Sequence, residues 1–560
     1  MAAKSLPGEP LGRSGLSESA GRYRPLLGPI LLAVVLYALN NLAMLSGWLN
    51  PPGGHKPTLM LRAWDIAQYL TWARASEKRL LLPNYHAPWQ TEPALTYPLM
   101  WVLSRACRLM RIELAAGYHV FHFVLYLLAA YSLFFCFRVF TDTRKQAVAA
   151  FFTILGSVPI TALAILPGFV LTFGRWNRLP GLGDFIWWSS DGFFHGIDGA
   201  VGATFGTATT LLAFAYLARY LKTEQKRYLA YASTTTFVSA FFHPFEVFVI
   251  AGAGAGTILW RSGRQWPRAL LETALLGVSG AAGLSHYVVL SLRHQWLRDS
   301  VDLARWDPGS PLKVLVMLGL PTVLALVFLV MQPKMASKTD LLLQAWVVCT
   351  LVFLYIPWIP HSQHLLDGFH YAVGLLLVRQ VSQSAAAGRI LKRYPHLVLR
   401  ACSACCLLSI APYVVFYRQS FRDGQAAQPA RLYTTVAPND ELAAVAWLRQ
   451  NARDDQLVLG PPDSAPWLAT VPMHSFASHY LFSLTYPEQA RHATDFYEGK
   501  LNSTAARQLL TGYVVRYVVV PERSPAIAYL EQEATTVRLG SLLVYEFPGN
   551  SMKPYSRPRN

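Results

Sequence analysis

Long apolar runs separated by short polar segments cover most of the chain, and the length of these runs decides the fold class. A helix that crosses a bilayer needs about 20 mostly apolar residues. The runs that approach or exceed this length lie at residues 27–49, 118–140, 147–171, 200–221, 228–243, 244–260, 270–292, 312–331, 341–357, 366–382 and 397–417. The pattern predicts an α-helical multi-span membrane protein with about 11 transmembrane helices.

The pattern changes after residue 430, where apolar runs shorten to strand length and charged residues return. An amphipathic helix is predicted from Asn439, strands at 456–460, 513–520 and 542–547, and helices at 486–499 and 503–511. The predicted domains are a disordered cytoplasmic tail at 1–26, a transmembrane domain at 27–420 with a long first outer loop at 50–117, an extracytoplasmic α/β domain at 430–548, and a tail at 549–560.

Composition and charge agree with this organisation. The 560 residues are 53% hydrophobic and 14% charged, with a mean hydropathy of +0.29 and a formal net charge of +18. Lys and Arg cluster in short segments between apolar runs, where they set membrane topology, and this excludes nucleic acid as a partner. The alternation predicts a cytoplasmic N-terminus and an extracytoplasmic C-terminal domain. Only 228–260 is ambiguous between one and two spans, and the basic segments after it favour two.

The first outer loop holds the leading catalytic candidate, Asp65. Residues 59–80 have helical periodicity with Tyr69 and other aromatic residues among Leu and Ile, which predicts a helix in the membrane interface. Such a helix would hold a carboxylate at headgroup level, where Asp65 could act as a general base on an acceptor hydroxyl. The alternative is that Asp65 only caps or solvates the helix. Tyr97, followed by Pro98, begins a second amphipathic stretch.

A second group of candidates lies in the predicted second outer loop, where acids stand beside aromatic rings. These are Asp184, Trp187, Trp188, Asp191 and His195. Rings can stack on sugar faces, and carboxylates can accept hydroxyl hydrogen bonds or bind a divalent cation. The alternative is an ordinary polar loop with interfacial tryptophans. We take Asp191 as the second catalytic acid.

Cations and buried ionisable residues complete the candidate set. Arg293, Arg298 and Arg305 could bind a donor phosphate, although neighbouring acids make self-paired surface charges the alternative. His243 and Glu246 flank a proline at membrane depth, where ionisable residues are costly and often functional. A further polar group contains His361, His364, Asp367 and His370. Zinc binding is conceivable there, but the group lacks a clean zinc motif.

Several of these segments together resemble the GT-C superfamily of multi-span glycosyltransferases. The resemblance covers most of the chain and rests on residues 65–70, the Tyr97-Pro98 element, residues 184–191, His243-Pro244, and the tail from 441–449 to 513–520. The superfamily includes dolichyl-phosphate-mannose transferases, the aminoarabinose transferase and the oligosaccharyltransferase catalytic subunit. Its members take a sugar from a polyprenyl-phosphate carrier on the outer side of the membrane.

The resemblance implies an inverting hexosyl or pentosyl transferase that moves a sugar to a lipid, glycan or protein acceptor. Asp65 matches the acid that such enzymes use as a base or metal ligand in their first loop. Many members have two adjacent acids there, whereas Trp64 and Ile66 flank Asp65. Either the enzyme works without a metal or the site is degenerate. A divalent cation, Mg²⁺ or Mn²⁺, is the cofactor that such a site would take.

Two other functional classes stay open at this point. A catalytically inactive GT-C-like scaffold or assembly protein would have a blocked cavity or an Asp65 turned towards water. A secondary transporter would have inverted repeats and polar residues near the middle of the bilayer. No such repeats are visible, and the polar residues concentrate at one membrane face.

Overall fold

A computed structural model gives the architecture. It describes residues 27–41, 49, 53–57, 63–155, 201–262, 265–303, 305, 307–331, 337–384, 436–462, 464–468, 470–471, 473–476, 486–530 and 535–548. The helices of the membrane part, in chain order, are α1 Leu27–Asn40, α2 Ala63–Ala75, α3 Pro98–Met110, α4 Leu114–Phe140, α5 Arg144–Leu155, α6 Val201–Thr223, α7 Lys226–Phe242, α8 Val247–Arg261, α9 Trp266–Arg293, α10 Gln295–Leu303, α11 Pro311–Met331, α12 Lys338–Phe353 and α13 Phe369–Gln383.

Three of the described helices are long and apolar enough to cross a membrane: α4 with 27 residues, α6 with 23 and α9 with 28. Helices α9 and α11 also expose large aliphatic side chains such as Leu271, Val278 and Val330. Apolar surface of this kind suits contact with lipid tails. These features support the predicted membrane protein, while the count of 11 spans stays a prediction.

Small residues let the helices of the bundle pack closely. Helix α6 lies between α4 and α7, and α8 packs on α9 and α12. Where α8 meets its neighbours, a Cβ on Gly252 would lie 2.7 Å from the Phe353 ring and a Cβ on Gly254 would lie 2.5 Å from Leu276. These glycines therefore serve close helix packing.

Residues 228–260 form two helices rather than one kinked span. Helix α7 ends at Phe242 and α8 begins at Val247, and Pro244 stands in the break between them. A proline lacks the amide hydrogen that a continuing helix needs, and its ring disfavours helical geometry in the preceding residue. We call this end of the bundle, where α6 begins, α7 ends and α8 begins, the loop end. The opposite end, which carries Arg261 and Arg379, is the arginine end.

The C-terminal part contains a five-stranded mixed sheet. Its helices are α14 Asn439–Asn451, α15 Ala465–Leu468, α16 Tyr486–Tyr497 and α17 Ser503–Gly512, and its strands after β1 His55–Pro57 are β2 Val436–Pro438, β3 Leu457–Leu459, β4 His474–Ser475, β5 Tyr517–Pro521, β6 Thr535–Leu539 and β7 Leu542–Glu546. The strand order is β4-β3-β5-β7-β6. Strand β3 is parallel to β4 and β5, whereas β7 is antiparallel to β5 and β6.

The sheet packs on the first loop, so the two regions share a hydrophobic core. Val458, Tyr517 and Val519 belong to the same buried cluster as Leu70 of α2 and Leu103 of α3. Strand β1, which follows α1, also pairs with β2 in a separate antiparallel ribbon. The C-terminal part therefore holds α2 and α3 in place at the loop end.

Candidate functional site

Four aromatic rings from α2, α3 and α4 gather at the loop end and form what we call the aromatic cluster. The Tyr97 ring lies 5.5 Å from Tyr69 and 5.1 Å from Trp72, measured between centroids. Tyr118 stacks on Tyr69 at 6.5 Å. Trp72 and Tyr118 are buried, whereas Tyr69 and Tyr97 are half-buried. Tyr69 and Tyr97 therefore offer partly accessible ring surface, of the kind that stacks on sugar rings.

The leading acid candidate lies on the same helix as this cluster. The backbone of Asp65 belongs to the first turn of α2, four residues before Tyr69. Its side chain is outside the described part of the structure. The catalytic role of Asp65 stays a prediction.

The proline break between α7 and α8 carries a buried pair of ionisable side chains. His243 Nδ1 lies 2.7 Å from Glu246 Oε1, and the two side chains are 5% and 1% exposed. The other carboxylate oxygen, Oε2, is buried and makes no hydrogen bond with the described residues. Because an unsatisfied buried oxygen is costly, this carboxylate is a place where a ligand or ion would be stabilising.

Two glycines of α6 make room for this pair and bring it to the aromatic cluster. A Cβ on Gly206 would overlap Glu246 Oε1 and lie 2.7 Å from His243 Nδ1. A Cβ on Gly202 would lie 2.5 Å from Tyr97 Oη and 2.9 Å from His243 Cδ2. Tyr97 and His243 therefore meet over the same bare stretch of α6.

A short 3-10 helix, Ser362–Leu366, adds a histidine and an acid to the pair. The ring centroids of His364 and His243 are 5.3 Å apart, and His364 Nδ1 lies 3.2 Å from Asp367 Oδ2. Possible ligand atoms of His243, His364 and Asp367 all lie within 4.8 Å of one another. We call these three residues and Glu246 the histidine–carboxylate cluster. Within the described residues, this is the set whose donor atoms suit a metal ion.

The turn at Gly368 fixes where Asp367 stands. Gly368 has a φ of +89°, a backbone conformation that residues with a Cβ rarely adopt. A Cβ there would also lie 3.2 Å from Thr210 Cγ2 of α6. The chain thus turns sharply from the 3-10 helix into α13, and Asp367 is held at that turn.

The predicted phosphate-binding arginines lie on one short helix and its flanks. Arg293 ends α9, Arg298 lies in α10, and Arg305 follows α10. All three are exposed, and Arg305 pairs with Asp302 at 2.8 Å. The pairing of Arg305 agrees with the alternative of self-paired surface charges for that residue.

Helix α10 nevertheless contacts the segment that precedes Tyr97 of the aromatic cluster. Trp296 Nε1 donates a hydrogen bond of 3.0 Å to the carbonyl oxygen of Glu92. Trp296 and Leu297 also pack on Ala94, three residues before Tyr97. Helix α10, which carries Arg298, and the segment that leads into α3 are therefore joined at the loop end.

The candidates of the predicted second outer loop cannot be compared with the structure. Asp184, Trp187, Trp188, Asp191 and His195 lie outside the described residues. Their roles stay predictions. Of the other predicted substrate-binding residues, Tyr69, Tyr97, His243 and Glu246 come together at the loop end.

The sequence interpretation missed several residues of the site. Trp72 and Tyr118 were not assigned to it, and His364 and Asp367 were left as a polar group without a partner. One signal was available, because Gly202 and Gly206 form a GxxxG pattern that marks a close approach to a helix face. The pattern alone does not show whether the groups that approach α6 are polar side chains, such as His243 and Glu246, or the side chains of another apolar helix.

Comparisons with known proteins agree with the fold. No family model matches the chain, and no curated protein matches it either. An oligosaccharyltransferase from Archaeoglobus fulgidus, crystallised with a tethered acceptor peptide containing the NVT sequon, is similar with a TM-score of 0.52 at 13% identity. That match covers 90% of this chain and 69% of the archaeal one. The same protein in complex with Zn and sulfate gives a TM-score of 0.51, with 13% identity and coverages of 88% and 68%.

A second solved structure is similar over nearly the whole chain. The arabinofuranosyltransferase AftD from Mycobacteria matches with a TM-score of 0.52 at 14% identity, covering 92% of this chain and 40% of that one. At such identities the likeness shows a shared fold. The chain therefore has a fold similar to that of the archaeal oligosaccharyltransferase and of the mycobacterial arabinofuranosyltransferase.

Proposed function

We propose that the chain is a membrane glycosyltransferase that moves a sugar from a polyprenyl-phosphate carrier to a lipid, glycan or protein acceptor on the outer face of the membrane. The observation that carries the proposal is the meeting of Tyr69, Tyr97, His243 and Glu246 at one end of a GT-C-like bundle. Helix α2, which holds Tyr69 and Trp72 of the aromatic cluster, also holds Asp65. Aromatic faces, buried acids and nearby exposed arginines are the parts that sugar-phosphate chemistry needs.

The proposed reaction is a single displacement with inversion. The acceptor hydroxyl oxygen forms a bond to the anomeric carbon while the bond from that carbon to the carrier phosphate oxygen breaks. Asp65 takes the hydroxyl proton, and the carrier leaves as a polyprenyl phosphate. Because residues four apart share a helix face, Asp65 would stand above Tyr69. Asp191 would supply the second acid, with Asp184, Trp187, Trp188 and His195 near the sugar.

The leaving phosphate needs positive charge, and the α10 region supplies it in this proposal. A guanidinium group binds phosphate oxygens through paired hydrogen bonds. Arg293 is the last residue of α9 and Arg298 lies in α10, and both are exposed. Arg305 is the weakest of the three candidates because it already pairs with Asp302.

Structures of the archaeal neighbour support an acceptor and a divalent cation as parts of this proposal. The archaeal enzyme was solved once with an acceptor peptide and once with Zn. A Mg²⁺ or Mn²⁺ ion held by Asp65 and the second-loop acids would activate the donor phosphate as a Lewis acid. The bacterial inner membrane and an outward-facing C-terminal domain belong to the same proposal.

A transfer assay in membrane vesicles tests the proposal. The full chain is supplied with a panel of radiolabelled polyprenyl-phosphate sugars, and product formation is compared with Asp65→Asn and Asp191→Asn. Removing a general base lowers the rate by about 10²–10⁴-fold. Glu77→Gln, which alters an exposed acid just after α2, serves as the matched control and should transfer at the parent rate.

Two outcomes contradict the proposal in different ways. If both variants match an active parent, the site assignment is wrong although the chain is a transferase. If the parent is inert with every donor while it folds and inserts normally, the alternative of an inactive GT-C-like scaffold is favoured.

A further inference from the structure

The histidine–carboxylate cluster buries two acids, and the ion-pair partners described for them are both histidines. Glu246 is 1% exposed and Asp367 is 6% exposed. In the part of the chain that the structure describes, each carboxylate has a histidine as its ion-pair partner and neither has a lysine or an arginine. Two carboxylates this deeply buried need positive charge to offset their lost hydration.

We propose that His243, His364 and Asp367 bind a divalent transition metal, with zinc as the best fit, and that Glu246 positions His243 for it. The ligand atoms of the three residues already lie within 4.8 Å of one another. In a tetrahedral zinc site they would lie roughly 3.3 Å apart, so the set needs to contract by only about 1.5 Å. Rotations of the side chains can supply that movement without moving the helices.

The donor types decide which metal the site takes. Two imidazole nitrogens and one carboxylate oxygen are a usual set for zinc, whereas Mg²⁺ and Ca²⁺ prefer oxygen ligands throughout. A set of three protein ligands also leaves one tetrahedral position for water or for a substrate oxygen. This site is therefore distinct from the Mg²⁺ or Mn²⁺ position proposed at Asp65.

Glu246 gives the second, independent reason to expect a metal. Histidine ligands commonly hold their other ring nitrogen in a hydrogen bond to a carboxylate, which fixes the tautomer and the ring orientation. His243 Nδ1 lies 2.7 Å from Glu246 Oε1, so a His243 ring protonated at Nδ1 would donate to this carboxylate and leave Nε2 for the metal. The remaining oxygen, Oε2, is buried without a hydrogen-bond partner among the described residues, and a cation beside the cluster would offset the cost of burying it.

The backbone around the cluster holds the ligands where they are. The absence of a side chain at Gly206 of α6 leaves room for Glu246 and the His243 ring, because a Cβ there would overlap the carboxylate. On the other side, His361 with a φ of +50° and Gly368 with a φ of +89° bracket the segment that carries His364 and Asp367. Ligands from two separate breaks in the bundle thus converge on one point.

Metal binding is measured directly on the full chain, in detergent and without a histidine tag. The protein is stripped with a chelator and titrated with Zn²⁺ against a chromophoric competitor, with elemental analysis for stoichiometry. We expect one zinc per chain and a loss of affinity of at least about 100-fold in His364→Gln and Asp367→Asn. Glu246→Gln should weaken binding by about 10–100-fold, as is usual for a carboxylate that orients a histidine ligand.

The matched control is His294→Gln. His294 lies at the same end of the bundle and also pairs with a carboxylate, Glu92 at 2.9 Å, but among the described residues it belongs to no cluster of possible metal ligands. This variant should bind zinc as tightly as the parent. A parent that binds no stoichiometric zinc, or ligand variants that bind like the parent, would overturn the proposal.

A second measurement needs no substitution and so is independent of whether the variants fold. The side chain of His364 is 29% exposed and should react with diethyl pyrocarbonate in the metal-free protein. Zinc should protect His364 but leave the reactivity of His294 unchanged, as measured by peptide mass spectrometry. Equal modification of His364 with and without zinc would rule the site out. Because neither experiment uses a sugar donor, the outcome does not depend on the proposed transferase activity.

Discussion

The buried carboxylates at the two ends of the bundle have different ion-pair partners, arginines at one end and histidines at the other. At the arginine end, Asp340 is held by Arg379, which also donates to the Phe140 carbonyl oxygen at 2.7 Å. There Glu272 likewise accepts from Arg261 at 3.1 Å. At the loop end, Glu246 and Asp367 face histidines. A guanidinium stays charged under all ordinary conditions, whereas an imidazole can lose its proton and bind a metal.

This difference separates a structural role from an exchangeable one. A carboxylate that forms an ion pair with an arginine stays neutralised, so its charge is not available to bind a further cation. A carboxylate beside a histidine can exchange the proton between them for a cation. The comparison therefore assigns stability to the arginine end and chemistry to the loop end, and the following substitutions test that division.

The largest effect is expected from breaking the buried pair at the arginine end. Arg379→Met leaves Asp340, 4% exposed, without its charged partner and removes the hydrogen bond to Phe140. Loss of one member of a buried ion pair costs about 3–5 kcal/mol. Thermal unfolding of the purified full chain should show a clearly lower midpoint than the parent.

The control for this prediction lies at the same end. Lys338 and Glu224 form an exposed ion pair at 3.0 Å, and such pairs contribute only about 0–1 kcal/mol. Lys338→Met should therefore unfold near the parent temperature. If Arg379→Met unfolds at the parent temperature too, the arginine end is not the stability determinant that the comparison makes it. Zinc binding by the folded fraction should be unchanged in both variants.

Much of this architecture could be predicted from the pattern of the sequence, because the features concerned are local. The break at Pro244, the helix from Asn439 and the strands near 457–459 and 542–546 all lie close to the predicted positions. Each depends on neighbours within one element: a proline in an apolar run, alternating polar positions, or a short β-branched segment.

The convergence of residues far apart in the chain could not be predicted in the same way. Strand β1 pairs with β2 across nearly 400 positions, and strand β6 has a mixed, exposed sequence with no clear alternation. His243 and His364 were recognised separately, but nothing in a single sequence says that the two rings meet or that two glycines of α6 make room for His243. The pairing of distant segments depends on tertiary packing rather than on local preference.

The C-terminal part docks on the first loop, beside the loop end, through a buried histidine. His474 of β4 is buried, and its Nδ1 donates a hydrogen bond of 2.9 Å to the Ala87 carbonyl oxygen. Burial lowers the pKa of His474 from 6.5 to about 4. The docked histidine is therefore neutral, and opening the contact allows it to take up a proton.

This shift makes the docking less stable in acid. A histidine with a lowered pKa contributes its stability fully above pH 6.5 and loses it as the pH falls towards 4. By pH 5 the contact should be weaker by about 2 kcal/mol. Hydrogen–deuterium exchange at β4 and at residues 85–87, corrected for intrinsic rates, should show increased opening between pH 7 and pH 5.

The control for the acid effect is a histidine elsewhere in the same region. In His474→Gln the amide can still donate to Ala87 but cannot titrate, so the pH dependence of opening should vanish. His492→Gln, on α16, should keep it. A parent whose β4 opens equally at both pH values would show that the buried imidazole does not govern docking.

The smallest effect on stability is expected at the loop end itself, from Gly206→Ala. The new methyl group would overlap Glu246 Oε1, and overpacking costs about 1–3 kcal/mol. Replacing glycine by alanine within a helix returns about 0.5–1 kcal/mol, so the net loss of stability should be near 1 kcal/mol. Zinc affinity should nevertheless fall, because Glu246 must move away from His243 Nδ1.

Gly256→Ala is the matched control, since α8 leaves open space around that glycine. It should be as stable as the parent or slightly more so, and should bind zinc normally. A Gly206→Ala protein with unchanged zinc affinity would mean that the approach of Glu246 to α6 does not position His243, and the distinction between the two ends would then rest on the histidines alone.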